Sequence, residues 1–166
     1  MAIRDILLLG DESLYNVSRE ITRDELGKAR QVVADLHDTM VNFREKYGFG
    51  RAIAAPQIGE FLRIIYLNFG GQSYALLNPA PEFGTETFQV WDDCMSFPGL
   101  EVKLTRYRKT KLSYTDLAWK TCILELENDL SELIQHEYDH LDGVLAVDRA
   151  RDNRSLRINK AKSGCF

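Results

Sequence analysis

The chain has 166 residues, of which 45% are hydrophobic and 28% charged, a composition typical of a globular protein. Its formal net charge of -4 gives no general reason to expect nucleic acid as a partner. The apolar run from Ile6 to Leu9 is too short for a signal core or a membrane span, and the cysteines lack the spacing of a disulfide framework. These features predict a cytoplasmic protein with one domain over residues 1–166 and no membrane contact.

The first predicted helix begins after Thr22, which stands three residues before Glu25 in the spacing of a capping box. Apolar residues then recur at three- and four-residue steps from Leu26 to Tyr47, and Gly48 is a typical C-terminal stop. His37 lies within this helix but off its apolar stripe, which indicates a surface or boundary position.

Four strands are predicted between two helices, from runs of apolar and β-branched residues. They cover 63–68, 73–77, 109–114 and 121–126. Gly70-Gly71 is the predicted turn of a hairpin, and the proline-containing run 78–81 is expected to end that unit. Ahead of these strands, residues 48–59 are rich in small side chains and include Gln57, which by itself favours a tight packing loop.

A second helix is predicted to begin near Asn128 or Asp129 and to end at about Leu141, before Asp142-Gly143. The order of helix, strands and helix predicts an α+β fold. Beyond it, residues 149–166 are polar and basic, which predicts a solvated tail or a short terminal helix. A contact between this segment and an anionic surface is the alternative.

The second helix carries the run Gln135-His136-Glu137-Tyr138-Asp139-His140. Positions i and i+4 share one helix face, so both imidazoles can reach one divalent metal while Glu137 handles a proton. A catalytic zinc or iron site usually has a third protein ligand, which zincin-type proteases take from a Glu or His downstream. No Glu or His follows His140, which counts against that class of protease.

Cys94 is the favoured third ligand, because it lies among the polar and turn-forming residues 91–99 rather than within an apolar run. Its thiolate would suit a soft or borderline metal and would give a site of one sulfur and two imidazoles. Cys122 lies in an apolar strand and is interpreted as a core residue, and Cys165, one residue from the end, as inert.

Three separated segments resemble the signature motifs of the peptide deformylases, in the same order and with the same spacing. They are Gly50-x-Ala52-x-Ala54-Ala55-Pro56-Gln57, Asp92-Asp93-Cys94-Met95-Ser96 and the Gln135 to His140 run. Similarity at 6–14 and 141–145 extends the likeness over most of the chain. The resemblance implies small antiparallel or mixed sheets around a central metal-binding helix.

The resemblance also implies a metal-dependent amide hydrolase that removes the formyl group from the N-terminal methionine of newly made polypeptides. The implied metal ligands are Cys94, His136 and His140. Fe²⁺ is the expected ion, and Zn²⁺, Ni²⁺ or Co²⁺ can replace it. Glu137 would act as general acid and base, while Gln57 and the Met95 N–H would stabilise the oxyanion. A monomer acting on formylated peptides or nascent chains is expected, with a ribosome contact through residues 149–166 as an open question.

The chain departs from the family pattern at several positions around the substrate. The residues expected to line the pocket are Gly50, Ala52, Glu132 and Leu133. Ala52 replaces a glycine, and Asp93 replaces the glycine before the cysteine, where an outward-facing carboxylate is expected because burial would be costly. Asp129 and Glu132 are acidic where the family is apolar. Either both point to water, or the pocket prefers a polar or basic side chain and methionine specificity is weakened.

Two alternative functions stay open beside this one. The altered pocket is compatible with a deformylase-like hydrolase for a different formyl or acyl substrate. A weakly catalytic metal-binding paralogue is the other alternative, although a pure binding role would need neither Glu137 nor Gln57.

Overall fold

The structure is a computed structural model that describes residues 2–163. This part of the chain contains two α-helices, α1 (Leu26–Tyr47) and α2 (Asp129–Leu141). It also contains eight strands: β1 (Ala52–Ala54), β2 (Ile64–Phe69), β3 (Gln72–Phe83), β4 (Thr87–Asp93), β5 (Leu100–Tyr107), β6 (Lys109–Thr115), β7 (Thr121–Glu127) and β8 (Leu156–Ile158). The predicted α+β fold is confirmed. Neither helix combines the length and apolar character that a membrane crossing requires.

The strands form two antiparallel sheets, with the orders β1-β2-β3-β6-β7 and β4-β5-β8. Helix α2 contacts β1 and β7 of the larger sheet and β5 of the smaller one. The helix that carries the two histidines therefore joins the two sheets.

Helix α1 begins and ends as its sequence predicts. The Thr22 N–H donates to the Glu25 carboxylate at 2.9 Å, and Gly48 ends the helix with a φ of 77°. Its buried stripe comprises Ala29, Val32, Val33, Leu36, Met40 and Phe43. Burial of each large side chain in such a stripe contributes about 1.5–3 kcal/mol. His37 is exposed, as predicted, and its Nδ1 lies 2.8 Å from the Tyr66 hydroxyl.

The predicted hairpin at Gly70-Gly71 is confirmed, but the expectation that residues 78–81 end the unit is wrong. Strand β3 continues to Phe83 through a register shift between Leu77 and Ala80. Asn78 makes this shift with a φ of 48°, a conformation that Asn tolerates better than most residues. Its side-chain amide accepts from the Ile21 N–H and donates to the Ile21 carbonyl, each at 2.9 Å.

The sequence did not predict strands β4 and β5, because charged residues interrupt their apolar pattern. Asp92 pairs with Val102 across the two strands, and both are buried. Glu101 and Arg106 of β5 are buried as well. Buried charges become acceptable only when partners from elsewhere in the fold satisfy them, and those partners cannot be read from a local window.

The prediction of a solvated tail or terminal helix for residues 149–166 is wrong in the described part. Strand β8 pairs with β5, and Arg157 Nε donates to Glu101 at 2.6 Å. Lys162 forms ion pairs with both Asp93 and Glu101. Ion pairs with acidic side chains of the smaller sheet therefore keep this basic segment packed against that sheet. Residues 164–166, with Cys165, lie outside the described residues.

The prediction that Cys122 is a core residue is also wrong. It lies on β7 and is half-buried rather than in the core, with its Sγ 3.8 Å from an Asp116 carboxylate oxygen. The strand is an edge strand with an alternating pattern of exposure, so one face of the apolar run meets solvent.

Gly143, just past α2, generates a stability prediction. Its φ is 70°, and an added Cβ would lie 2.3 Å from the Tyr15 backbone oxygen. Gly143→Ala should lower the free energy of unfolding by about 3 kcal/mol or more, since overpacking adds to left-handed strain. Gly48→Ala is the matched control, because its φ is 77° and nothing lies within 4 Å of the added carbon. Urea unfolding of the metal-loaded proteins should show a clearly larger loss for Gly143→Ala, and equal losses would contradict the clash.

Candidate metal centre and catalytic pocket

Helix α2 buries both histidines of the motif together with the glutamate between them. Because His136 and His140 are one helical turn apart, their rings lie on the same face with centroids 5.0 Å apart. The predicted helical spacing therefore places two imidazoles side by side, as one metal ion would require.

Cys94 follows directly after β4 and meets this pair of imidazoles. Its Sγ lies 3.2 Å from His140 Nε2, and ligand atoms of Cys94, His136 and His140 all lie within 4.8 Å of one another. One thiolate with two imidazoles suits a soft or borderline divalent ion, and three protein ligands leave a position open for water or substrate. The residues present thus fit a catalytic metal ion.

Glu137 lies beside this donor set with an unsatisfied oxygen. Its Oε2 is buried and has no hydrogen-bond partner among residues 2–163. Burial raises the pKa of Glu137 to about 7, and the nearby negative charges of Asp92 and Asp93 act in the same direction. A carboxyl group with such a pKa can both accept and release a proton near neutrality.

Gln57 is fixed with its amide nitrogen towards the same centre. The Ala54 N–H donates to Gln57 Oε1 at 2.9 Å, which leaves Nε2 to donate to Ser96 Oγ at 3.2 Å and to approach Cys94 Sγ at 3.6 Å. No described residue accepts a hydrogen bond from the Met95 N–H. The Gln57 amide group and the Met95 N–H therefore both lie beside Cys94, and of these donors the Met95 N–H has no acceptor among the described residues.

The N-terminal segment ties these two donor-bearing loops together. The Leu7 N–H donates to the Gln57 carbonyl oxygen, and the Leu9 N–H donates to the Ser96 carbonyl oxygen, each at 2.8 Å. The short apolar run at the start of the chain thus helps to position the site.

A buried set of charges, missed by the sequence reasoning, orients His136. Asp92 Oδ1 lies 2.8 Å from His136 Nδ1, and Asp92 Oδ2 accepts from Arg106 at 2.8 Å. The same guanidinium donates to Asp139 at 2.5 Å, and Arg149 donates to both oxygens of that carboxylate. Burial alone would raise the pKa of Asp92, but His136 and Arg106 hold it well below its usual range. Asp92 is therefore a charged acceptor that fixes the orientation of the imidazole.

The sequence contains one indication of these buried charges. Asp139 stands three residues after His136 and so shares its buried helix face. That position predicts a carboxylate in need of a cation, but the cation is Arg106, on a strand that the sequence did not predict.

The four residues expected to contact substrate, Gly50, Ala52, Glu132 and Leu133, all line one cavity of about 440 Å³ beside Cys94 and Glu137. Gly50 has a φ of 117°, and an added Cβ would lie 3.2 Å from the Met95 sulfur. Ala52 lies in β1 without a positive φ, so its side chain causes no backbone strain there.

Of the two acidic residues for which both orientations were left open, one faces water and the other does not. Asp129 faces water: its side chain is 70% exposed and pairs with Arg51. Glu132 instead lines the cavity, and burial, followed by the charge of Asp92, raises its pKa to about 8. Asp93 also lines the cavity, half-buried and paired with Lys162, so the outward orientation expected for it is wrong.

Comparison with known proteins gives a consistent result. The family model described as polypeptide deformylase matches residues 3–155. A peptide deformylase of Dictyoglomus turgidum is 34% identical over 160 residues, which cover 95% of this chain and 99% of that protein. Peptide deformylase 2 of Clostridium perfringens is 30% identical over 159 residues, covering 94% and 98%.

Solved structures agree with the sequence comparison. The crystal structure of a peptide deformylase from Legionella pneumophila matches with a TM-score of 0.82 at 30% identity, covering 89% of this chain and 86% of that one. A peptide deformylase from Synechococcus elongatus in complex with actinonin gives a TM-score of 0.83 at 28% identity, covering 93% and 88%.

Removal of Arg106 is expected to destabilise the fold strongly. Arg106→Met would leave the buried carboxylate of Asp92 without its arginine and that of Asp139 with only the more exposed Arg149, at a cost of about 3–5 kcal/mol in the free energy of unfolding. Arg108→Met is the control, because Arg108 pairs with exposed Glu86 and should lose about 1 kcal/mol or less. Urea unfolding of both variants checks this, and losses of similar size would refute the role of the buried pairs.

Asp92 should affect metal affinity through His136. Asp92→Asn removes the charge that orients the imidazole, and is expected to weaken Zn²⁺ affinity about 10–100-fold. Competition with a chromophoric chelator measures the affinity. Asp129→Asn, the same change at an exposed position of α2, should leave the affinity unchanged. Unaltered affinity in Asp92→Asn would show that the contact does not support metal binding.

Proposed function

The chain belongs to the polypeptide deformylase family, and on that premise we propose that its pocket hydrolyses the N-formyl amide of newly made polypeptides that begin with formyl-methionine. The protein is a deformylase-type hydrolase that binds a metal ion. The observation that carries the proposal is the buried set of one thiolate and two imidazoles, with an unsatisfied carboxyl oxygen of Glu137 beside it.

Cys94, His136 and His140 would hold the ion, with Fe²⁺ as the proposed native metal and Zn²⁺, Ni²⁺ or Co²⁺ as substitutes. A divalent ion in this site supplies a Lewis acid and lowers the pKa of water from 15.7 to roughly 7. Asp92 and Arg106 contribute by holding His136 in its ligating orientation.

Glu137 would move the proton that the reaction requires. Water adds to the formyl carbon while Glu137 takes one of its protons. Glu137 then delivers that proton to the amide nitrogen, so that the C–N bond breaks and a free amine and formic acid result; the acid loses its proton to give formate. Its raised pKa and its unpaired oxygen both support this role. General acid–base catalysis of this kind contributes about 10²–10⁴-fold in rate.

Gln57 and Met95 would stabilise the negative oxygen of the tetrahedral intermediate. The orientation of the Gln57 amide is set by Ala54, and the Met95 N–H has no partner among the described residues. Loss of one such donor typically costs about 2.7–4 kcal/mol of transition-state stabilisation.

We further propose that the chain acts as one catalytic domain over residues 1–166, as a monomer in the cytoplasm, without a membrane or a specific nucleic acid as partner. The continuity of α2 with both sheets supports the single domain. The ribosome contact through residues 149–166 stays a prediction. Arg151, Arg154 and Lys160 are the basic side chains available for it, since none of them forms an ion pair within the described part of the chain.

Glu137→Gln tests the mechanism. The variant should lose at least about 100-fold in turnover while it keeps its metal, because glutamine fills the same space but cannot carry the proton. Formate release from a formyl-Met peptide, measured anaerobically with Fe²⁺ or Ni²⁺ loaded, gives the rate, and elemental analysis gives the metal content. Glu127→Gln, an exposed change on β7, is the control and should keep full activity.

Two results would count against the proposal. Absence of turnover above background in the unchanged protein with either metal would remove the proposed reaction. Full activity in Glu137→Gln would leave the reaction in place but reject Glu137 as the group that moves the proton.

A further inference from the structure

Trp91 places a large apolar side chain at the edge of the catalytic cavity. It lies on β4, three residues before Cys94, and lines the cavity together with Phe49. It is 36% exposed. An indole ring offers a wide surface to apolar and aromatic ligands, and exposed aromatic surface at a cavity is typical of a binding site. The proposed hydrolysis does not use this ring, so any contact it makes lies with a part of the substrate away from the reacting bond.

The C-terminal segment of the chain holds the indole ring in place. The guanidinium carbon of Arg157 lies 3.9 Å from the centroid of the Trp91 ring, and Arg157 Nε donates to Glu101 at 2.6 Å. Arg157 belongs to β8, which pairs with β5. Because a stacked cation that is itself hydrogen-bonded restricts the ring beneath it, a ligand that binds Trp91 has little side-chain entropy to overcome there.

Four charged side chains that brace this part of the cavity cancel one another. Arg157 pairs with Glu101, and Lys162 pairs with both Asp93 and Glu101. Lys162 Nζ also lies 5.5 Å from the centroid of the Phe49 ring, so this side chain spans from β4 to the loop that follows α1. The four charges sum to zero and give no reason for a charged ligand to be preferred. The aromatic rings are therefore the surfaces that distinguish one ligand from another.

The cavity follows the end of β4 over several residues. Trp91, Asp92 and Asp93 all line it, and Cys94 comes next. Side chains at alternate positions of a strand lie on the same face, and each residue advances about 3.3–3.4 Å, so Trp91 and Asp93 share a face roughly 7 Å apart. An extended peptide has the same spacing. When such a peptide leaves the metal centre along β4 with its first residue beside Asp93, its third residue lies beside Trp91.

We infer that Trp91 forms a subsite for the side chain of the third residue of the formylated peptide, and that this subsite favours an apolar or aromatic side chain. The inference rests on the proposed function and specifies its substrate beyond the N-terminal methionine. An aromatic contact at an open subsite adds a modest amount of binding, so we expect about a 3–10-fold preference. Since the ring is remote from the reacting atoms, the preference should appear in KM more than in kcat.

The test compares the tripeptide amides formyl-Met-Ala-Phe, formyl-Met-Ala-Leu and formyl-Met-Ala-Gly with the Ni²⁺-loaded protein. The unchanged protein should show a kcat/KM about 3–10-fold higher for the phenylalanine and leucine peptides than for the glycine peptide. Trp91→Ala should bring these ratios close to one by raising KM for the first two peptides. Trp91→Phe, which keeps an aromatic surface, should retain most of the preference.

Two controls separate the subsite from a general effect on the fold. Phe83→Ala removes an exposed aromatic side chain from β3, outside the residues that line the cavity, and should leave the ratios unchanged. The second control compares formyl-Met-Phe-Ala with formyl-Met-Ala-Ala, whose ratio Trp91→Ala should not alter. Each ratio is measured within one protein preparation, so partial unfolding or incomplete metal loading does not change it.

The outcomes distinguish the subsite from the function on which it rests. Equal kcat/KM values for the three peptides in the unchanged protein, or ratios that Trp91→Ala leaves unmoved, would overturn the subsite while the deformylase reaction stands. An effect of Trp91→Ala on the second residue instead of the third would overturn the proposed register. Failure to release formate from any of the peptides, with either Fe²⁺ or Ni²⁺, would overturn the proposed function itself.

Discussion

The guanidinium of Arg106 is the contact on which the metal centre depends. It lies between two buried carboxylates, Asp92 at the end of β4 and Asp139 on α2, and donates to both. Asp92 in turn contacts His136, and β4 leads directly into Cys94. One cation thus links the strand that supplies the thiolate to the helix that supplies the imidazoles. These charges can be buried only because each of them has a partner of opposite charge. Removal of one would leave its partner with fewer compensating charges in a surrounding of low dielectric constant.

A second set of contacts places the neutral donors against this centre. Backbone hydrogen bonds from Leu7 and Leu9 fix the loops that carry Gln57 and Ser96, while Ala54 sets the direction of the Gln57 amide. These bonds use main-chain groups, so they tolerate substitution of the side chains around them. The site is accordingly assembled from four separate stretches of chain, each held by hydrogen bonds or ion pairs rather than by packing alone.

Two acidic residues about one turn apart on α2 lie in different surroundings. Asp129 and Glu132 are both acidic and only three residues apart, yet Asp129 pairs with Arg51 at the surface and Glu132 lines the cavity. In the proposed function, the chemistry would follow from the metal ligands and Glu137, whereas the choice of substrate would depend on the wall beside them. Changes in that wall can therefore alter what is bound without altering how it is hydrolysed.

The sequence by itself determined both helices, the four strands of clearest apolar pattern and the pair of histidines on one face of α2. These features depend on local spacing, which a short window of sequence contains. The polar surroundings of Cys94 indicated the third ligand, and the likeness of three motifs added the role of Gln57. Only the tertiary structure decided strands β1, β4, β5 and β8, the partners of Asp92 and Asp139, and the inward position of Glu132. The physical reason is distance along the chain: Arg106 and Asp139 are 33 residues apart, and Arg157 and Glu101 are 56 apart. In the sequence alone, a charged residue within a strand cannot be told from a loop residue, because the partner that allows its burial lies far away along the chain.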